Sequence, residues 1–89
     1  MICRIYDATG STRAQYDEVI SKQGVPEEAH VHIAGPTKNG WKVVEVWDSE
    51  EQADRYMTQG GLAEALQEAQ VPEPNITQFE VHNAEWGRA

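Results

Sequence analysis

The chain has 89 residues, which is one domain, residues 1–89, with no room for a linker and a second core. Fifteen acidic against seven basic residues give a formal charge of −8, so nucleic acid is disfavoured as a partner because that field repels a polyanion. The one cysteine, Cys3, can close no internal disulfide, and a domain this small hides only about two-thirds of its unfolded surface. Oligomerisation is the expected supplement to so small a core.

In chain order, residues 1–6 alternate as a strand, with neither the basic region of a signal peptide nor an apolar run long enough to span a membrane. The cytosol is therefore the expected compartment, and no membrane partner is expected. Asp7-Ala8-Thr9-Gly10 breaks the strand. Thr12-x-x-Gln15 predicts a capping box opening a helix whose inner stripe is Tyr16, Val19 and Ile20, with Gly24 and Pro26 as its stop. Residues 30–47, HVHIAGPTKNGWKVVEVW, read as two strands with Asn39-Gly40 as the turn signal. Asp48-Ser49-Glu50-Glu51-Gln52 then supplies a cap and first-turn acids to a helix carrying Ala53, Tyr56 and Met57 inward. Gly60-Gly61 interrupts it, a second helical piece carries Leu62, Ala65, Leu66 and Ala69, and Pro72-Glu73-Pro74 ends that piece. The last strand is predicted over residues 76–82.

The order βαββαβ predicts an α+β ferredoxin-like sandwich: a four-stranded antiparallel sheet, in the order four, one, three, two, with both helices on one face. Period two divides each strand between the two faces. Val31, Ile33, Val44, Val46, Phe79 and Val81, with Cys3 and Ile5, are aliphatic or apolar and are expected beneath the helices. The other face then holds Arg4, Tyr6, His30, His32, Trp41, Val43, Glu45, Trp47, Gln78, Glu80 and His82. An open face rich in aromatics marks an interface or a groove, so a second subunit is expected over it.

The candidate chemistry lies on that mixed face. If Ala34 pairs with Trp41, His30 falls opposite Glu45 and His32 becomes its diagonal neighbour, so a carboxylate can polarise an imidazole. The candidate catalytic residues are thus His32, Glu45 and, as an alternative to His32, His30; the same residues can equally form a satisfied His–Glu pair in an interface. Trp41 and Trp47 are packing anchors or walls for a flat substrate, and Tyr16 and Tyr56, one on each helix, can cap such a pocket. Cys3 reads as a small buried residue and not a nucleophile. His82 sits about 14 Å from His30 and His32 across three strand spacings, so no metal site is expected. No phosphate cradle, nucleophile elbow or dinucleotide fingerprint occurs, so oxidative chemistry here would use no cofactor and draw its electrons from the substrate.

Residues 43–66, VVEVWDSEEQADRYMTQGGLAEAL, carry a hydrophobic strand ending in Trp47 followed by Asp48-Ser49-Glu50-Glu51 at a helix start. In this the chain resembles the dimeric α/β-barrel superfamily, especially its antibiotic-biosynthesis monooxygenase-like members. The resemblance implies a homodimer whose two sheets pack face to face into a closed barrel, with Trp47 lining a pocket for a flat aromatic or polyketide-like molecule. The superfamily also holds cyclases, isomerases, dismutases and haem-degrading enzymes. The haem-degrading branch places a ligating histidine where this chain has Leu66, so no haem is expected. The expected function is a small-organic-molecule-binding homodimer, either a cofactor-independent monooxygenase-like, cyclase-like or isomerase-like enzyme or a non-catalytic binding or assembly module.

Overall fold

The first strand, β1 (Ile2–Thr9), runs down the middle of the sheet and ends at Gly10, whose positive φ of 83° turns the chain toward the first helix. The computed structural model describes residues 1–85; the single-domain reading of residues 1–89 extends past them, and residues 86–89 lie outside the described residues. Helix α1 (Arg13–Gln23) opens on the predicted capping box: Gln15 N donates to Thr12 Oγ1 at 3.2 Å, while Thr12 N donates to Gln15 Oε1 at 2.9 Å. Two of the helix's otherwise orphaned amides are satisfied reciprocally in this way. Gly24, at φ 77°, closes the helix by donating its N–H to Ile20 O.

Strands β2 (Val31–Thr37) and β3 (Gly40–Trp47) form the hairpin, with Lys38 and Asn39 as the turn residues and Gly40 already paired with Thr37. Gly40 is required for packing as well as turning, because a Cβ there would press into the carbonyl oxygen of Ala8 on the neighbouring strand. Helix α2 (Glu50–Thr58) starts at Ser49, whose hydroxyl accepts from Gln52 N at 3.2 Å, and Glu50 and Glu51 meet the positive end of its dipole. Gly61 at φ 84° turns the chain into α3 (Leu62–Glu68).

That last helix ends in a Schellman motif. Gln70 adopts the left-handed conformation at φ 59°, Gln70 N donates to Gln67 O and Val71 N to Leu66 O, each at 3.0 Å. The side chain of Gln15 donates to Gln70 O at 3.0 Å, tying the start of α1 to the end of α3. Strand β4 (Asn75–Glu80) completes the antiparallel sheet in the order β2-β3-β1-β4, with β1 and β3 central. The architecture is the α+β ferredoxin-like sandwich that the element order predicts.

The faces of that sheet are the reverse of the expectation. Arg4, Tyr6, Ala8, Glu45 and Trp47 are buried beneath the helices, whereas Ile33 and Phe79 are 59% and 55% exposed on the opposite side. Val31, Val44, Val46 and Ile5 share that open side with them, since they occupy the matching register positions Ile33↔Val44↔Ile5 and Val31↔Val46↔Cys3↔Phe79. Both layers contribute bulk to the space between them, Tyr16, Tyr56 and Leu66 from the helices and Tyr6, Trp41 and Val43 from the sheet, while Ala65 and Ala69 pack with Val19 and Leu62 between the helices. The polar groups that accompany those aromatics are tolerated because they are satisfied internally: Arg4 Nη1 meets Asp54 Oδ1 at 3.0 Å, and its Nε and Nη2 donate to Gln78 Oε1.

Candidate active site

The observed register, Ala34↔Val43, places His32 directly opposite Glu45, with Arg4 opposite Glu45 on the other flank. The expected Ala34–Trp41 pairing is shifted by two residues, which displaces His30 from the site. His30 stands outside the strand, exposed, with its N–H donating to Val46 O at 2.8 Å and its Nε2 against Asp48 Oδ1. Its imidazole therefore serves the rim of the domain. His82 is likewise exposed.

Around Glu45 a continuous hydrogen-bonded chain runs from the sheet to α1. Trp47 Nε1 donates to Glu45 Oε1 at 3.2 Å, Glu45 Oε2 lies 2.9 Å from His32 Nδ1, and His32 Nε2 lies 2.7 Å from Tyr16 Oη. Glu45 is 2% exposed, and the His32 side chain 13%. A carboxylate can only accept, so the neutral imidazole carries its proton on Nδ1 and offers the Nε2 lone pair to the Tyr16 hydroxyl. Burial, together with the charges of Glu45 and Asp17, raises the Tyr16 phenol above its ordinary value. Tyr16 therefore holds its proton unless His32 takes it.

The chain borders a cavity of about 70 Å³ between the helices and the sheet, lined among others by Tyr6, Tyr16, His32, Trp41, Glu45 and Tyr56. Trp41 packs its ring 5.2 Å from Tyr16, and the Tyr16 and His32 rings stack with centroids 6.2 Å apart. Trp47, only 1% exposed, lies outside this lining; it packs 5.4 Å from Tyr56 and forms part of a second, wider groove of about 760 Å³ with Gly24, Pro26 and Arg55. Tyr56 borders both spaces and donates to Gly24 O at 3.2 Å, so it is the wall between them. Its phenol is pushed up to about 12, chiefly by burial and then by Glu45 and Tyr16. Leu66, at the position of the haem-ligating histidine in the resembling branch, lines the inner cavity.

The structure thus brings Tyr16, His32, Trp41, Glu45 and Tyr56 around one space, sets Trp47 behind Glu45, and leaves His30 out. One lining residue had no assigned role in the sequence. Tyr6 is 6% exposed, and burial followed by the charge of the neighbouring Glu45 holds its phenol far above the ordinary range. Its face was readable from its two-residue spacing from Arg4. Trp41 Nε1 is buried without a partner among the described residues. Burial raises the thiol of Cys3, on the far face of the sheet, which makes it a poor nucleophile. Among the described residues no group of three or more His, Cys, Asp or Glu side chains is placed to hold a metal ion, and no helix is long and apolar enough to cross a membrane.

No protein-family model matches the sequence, and no curated protein matches it. Among solved structures, the chain is similar to a "putative antibiotic biosynthesis monooxygenase" from Deinococcus radiodurans, with a TM-score of 0.71, covering 100% of both chains at 13% identity. At that identity the likeness is one of fold.

Proposed function

We propose that this chain binds a small organic molecule between its helices and sheet and removes a proton from it, with Tyr16 as the group that meets the substrate and His32 and Glu45 behind it. The observation that carries this reading is the unbroken line from Glu45 through His32 to Tyr16, at 2.9 and 2.7 Å, ending at a cavity. As a proton passes from the substrate to Tyr16 Oη, the phenol's own proton passes to His32 Nε2, and Glu45 stabilises the imidazolium that forms. A phenol that is a weak acid in isolation acts as a base through its partner.

The carbanion or enolate left by that step is common to three reaction types. Its electrons can reduce dioxygen, so that an activated CH₂ and O₂ give a carbonyl and water; they can attack a carbonyl carbon and close a ring; or the carbon can be reprotonated elsewhere. The first is monooxygenase-like, and the fold shared with the Deinococcus radiodurans protein favours it. The cofactor-independent route rests on the electrons already present in such a carbanion. The small cavity supports the competing reading, a non-catalytic assembly module, because about 70 Å³ is below the ~150 Å³ that admits a benzene ring.

The partner we propose is a second copy of the chain, seated on the open face of the sheet. Ile33 and Phe79, both more than half exposed, sit there among the half-buried Val31, Val44 and Val46 and form an apolar surface that a lone domain leaves wet. The interface therefore uses the aliphatic face, and not the Trp41 and Val43 face expected from the sequence.

Deuterium uptake in D₂O at the carbon beside the carbonyl, followed by NMR for ketones from hydroxyacetone to 2-indanone, tests the proton transfer. Wild type should accelerate exchange for at least one member, and Tyr16→Phe should lower that rate about 10²-fold or more in a protein that still folds. Exchange undiminished in a folded Tyr16→Phe protein would remove the proposed base.

A further inference from the structure

The inner cavity holds less than a whole substrate. On the scale by which about 150 Å³ admits the six carbons of benzene, its volume of about 70 Å³ admits about three non-hydrogen atoms. That is a carbonyl group and the carbon beside it, which is the reacting unit and nothing more. The remainder of the molecule needs adjoining space.

Two grooves adjoin the cavity. One, of about 460 Å³, shares Ser11 and Trp41 with it. Passage on that side would displace Trp41, whose ring packs 5.2 Å from Tyr16 and holds the proposed base in place. The other, of about 760 Å³, shares Tyr56 alone among the described residues. Tyr56 is half-buried, and a single hydrogen bond of 3.2 Å ties its hydroxyl to Gly24 O in the loop after α1, so this partition can move without disturbing Tyr16 or His32. The chemistry of the outer groove is also selective. Val25 presents a side chain there that is 53% exposed, with Pro26 beside it, an apolar surface apart from the open face of the sheet. Arg55 is opposed in the same lining by Glu27 and Glu28, so neither an anion nor a cation is drawn in by charge alone.

We infer that the outer groove is the subsite for the substrate's tail and Tyr56 the partition that the tail passes, so that the substrate class is an uncharged enolisable ketone bearing an apolar chain. This deepens the proton-transfer reading and rests on it for the position of the carbonyl, which lies in the inner cavity with its neighbouring carbon against Tyr16. When the Tyr56 ring leaves Gly24 O, the two spaces join and the chain covers Val25. Binding energy gained along the chain then holds the small reacting end in place, where the inner cavity alone has too few contacts to do so.

The test is NMR titration of the full chain with 2-alkanones from propanone to 2-octanone. In wild type, affinity should rise about 2–4-fold for each carbon added beyond 2-butanone. The terminal methyl should show nuclear Overhauser contacts to Val25 and Pro26, and the methyl beside the carbonyl should show them to Val43 or Leu66, which line the inner cavity. 7-Oxooctanoate, the same chain ending in a carboxylate, should bind more weakly than 2-octanone. Val25→Asp, at an exposed position, should weaken 2-octanone about 3–10-fold and leave 2-butanone unchanged. Tyr56→Phe, which removes only the hydroxyl bonded to Gly24 O, should speed 2-octanone association about 2–10-fold, and an unchanged rate in the folded variant would remove Tyr56 as the partition. Affinity that is flat or falls with chain length would overturn the inference, as would terminal-methyl contacts to Ile33 or Phe79 on the open face or to Pro36 in the other groove, or the failure of every alkanone to bind. Deuterium exchange of the same alkanones with Tyr16→Phe separates the two claims. Exchange lost with the chain-length gain kept supports both; exchange kept with that gain present defeats the base and leaves the subsite standing; exchange by wild type with no chain-length gain defeats the subsite alone.

Discussion

Glu45 decides where the protons of the site sit, because its two oxygens take one donor each, Trp47 Nε1 and His32 Nδ1. In Glu45→Gln the amide oxygen can serve only one of them. If it keeps Trp47, the amide N–H faces His32, moves the imidazole proton to Nε2 and leaves Tyr16 no lone pair to donate to. The variant should lose about 1–3 kcal/mol by thermal or denaturant melting and fall about 10²-fold in ketone exchange. Loss of stability alone, with exchange intact, would mark the pair as structural. The tyrosines set a second expectation. Folding raises Tyr56 to about 12, with burial as the main cause, and raises Tyr16 in the same direction, so the folded chain holds phenolic protons that the unfolded chain releases near the ordinary phenol value of about 10. Their contribution to stability is fully present below that pH and is lost as pH rises through about 12. Melting temperature should be flat up to about pH 10 and then fall, with tyrosinate absorbance appearing together with unfolding.

At the scale of the elements, caps and breaks were legible: Thr12 with Gln15, Ser49, Gly24 and Gly60-Gly61 each act through backbone chemistry local to a few residues. Period two likewise grouped Tyr6, His32, Trp41, Glu45 and Trp47 on one face. It could not say which face the helices cover. Periodicity fixes a partition and not its polarity, and the rule that aliphatics go inward fails here, where the helices cover the sheet's aromatic and ionisable side chains. The two-residue slip that removed His30 has the same root: a hairpin's faces survive an even shift, but its cross-strand partners do not. The close pairing of β3 with β1 depends on Gly40. Gly40→Ala would drive a Cβ into Ala8 O and against Gly10 N, so β1 and β3 must separate locally. The cost should be about 1–3 kcal/mol, measured by denaturant melting. A neutral Gly40→Ala would mean that β1 and β3 pair more loosely than the structure has them.

For the whole molecule, the inverted sheet separates two substitutions that are adjacent in sequence. Val43 lines the cavity beneath the helices, and Val44 lies on the open face. Val43→Asp should bury an unpaired charge and unfold the domain, whereas Val44→Asp should leave a folded chain that no longer pairs with its copy. Light scattering and circular dichroism of the two variants read these outcomes directly. A wild type that is monomeric at micromolar concentration would end the proposal for that face. The alanines of α2 and α3 bear on time as well as space. Ala65 and Ala69 pack with Val19 and Leu62 between the helices, and each alanine methyl buries little area, so the helical layer opens more readily than the central strands. Amide hydrogens of α2 and α3 should then exchange through local opening, while those of β1 and β3 wait for global unfolding. For any ligand larger than the inner cavity, the association rate would saturate at the frequency of that opening and cease to rise with ligand concentration.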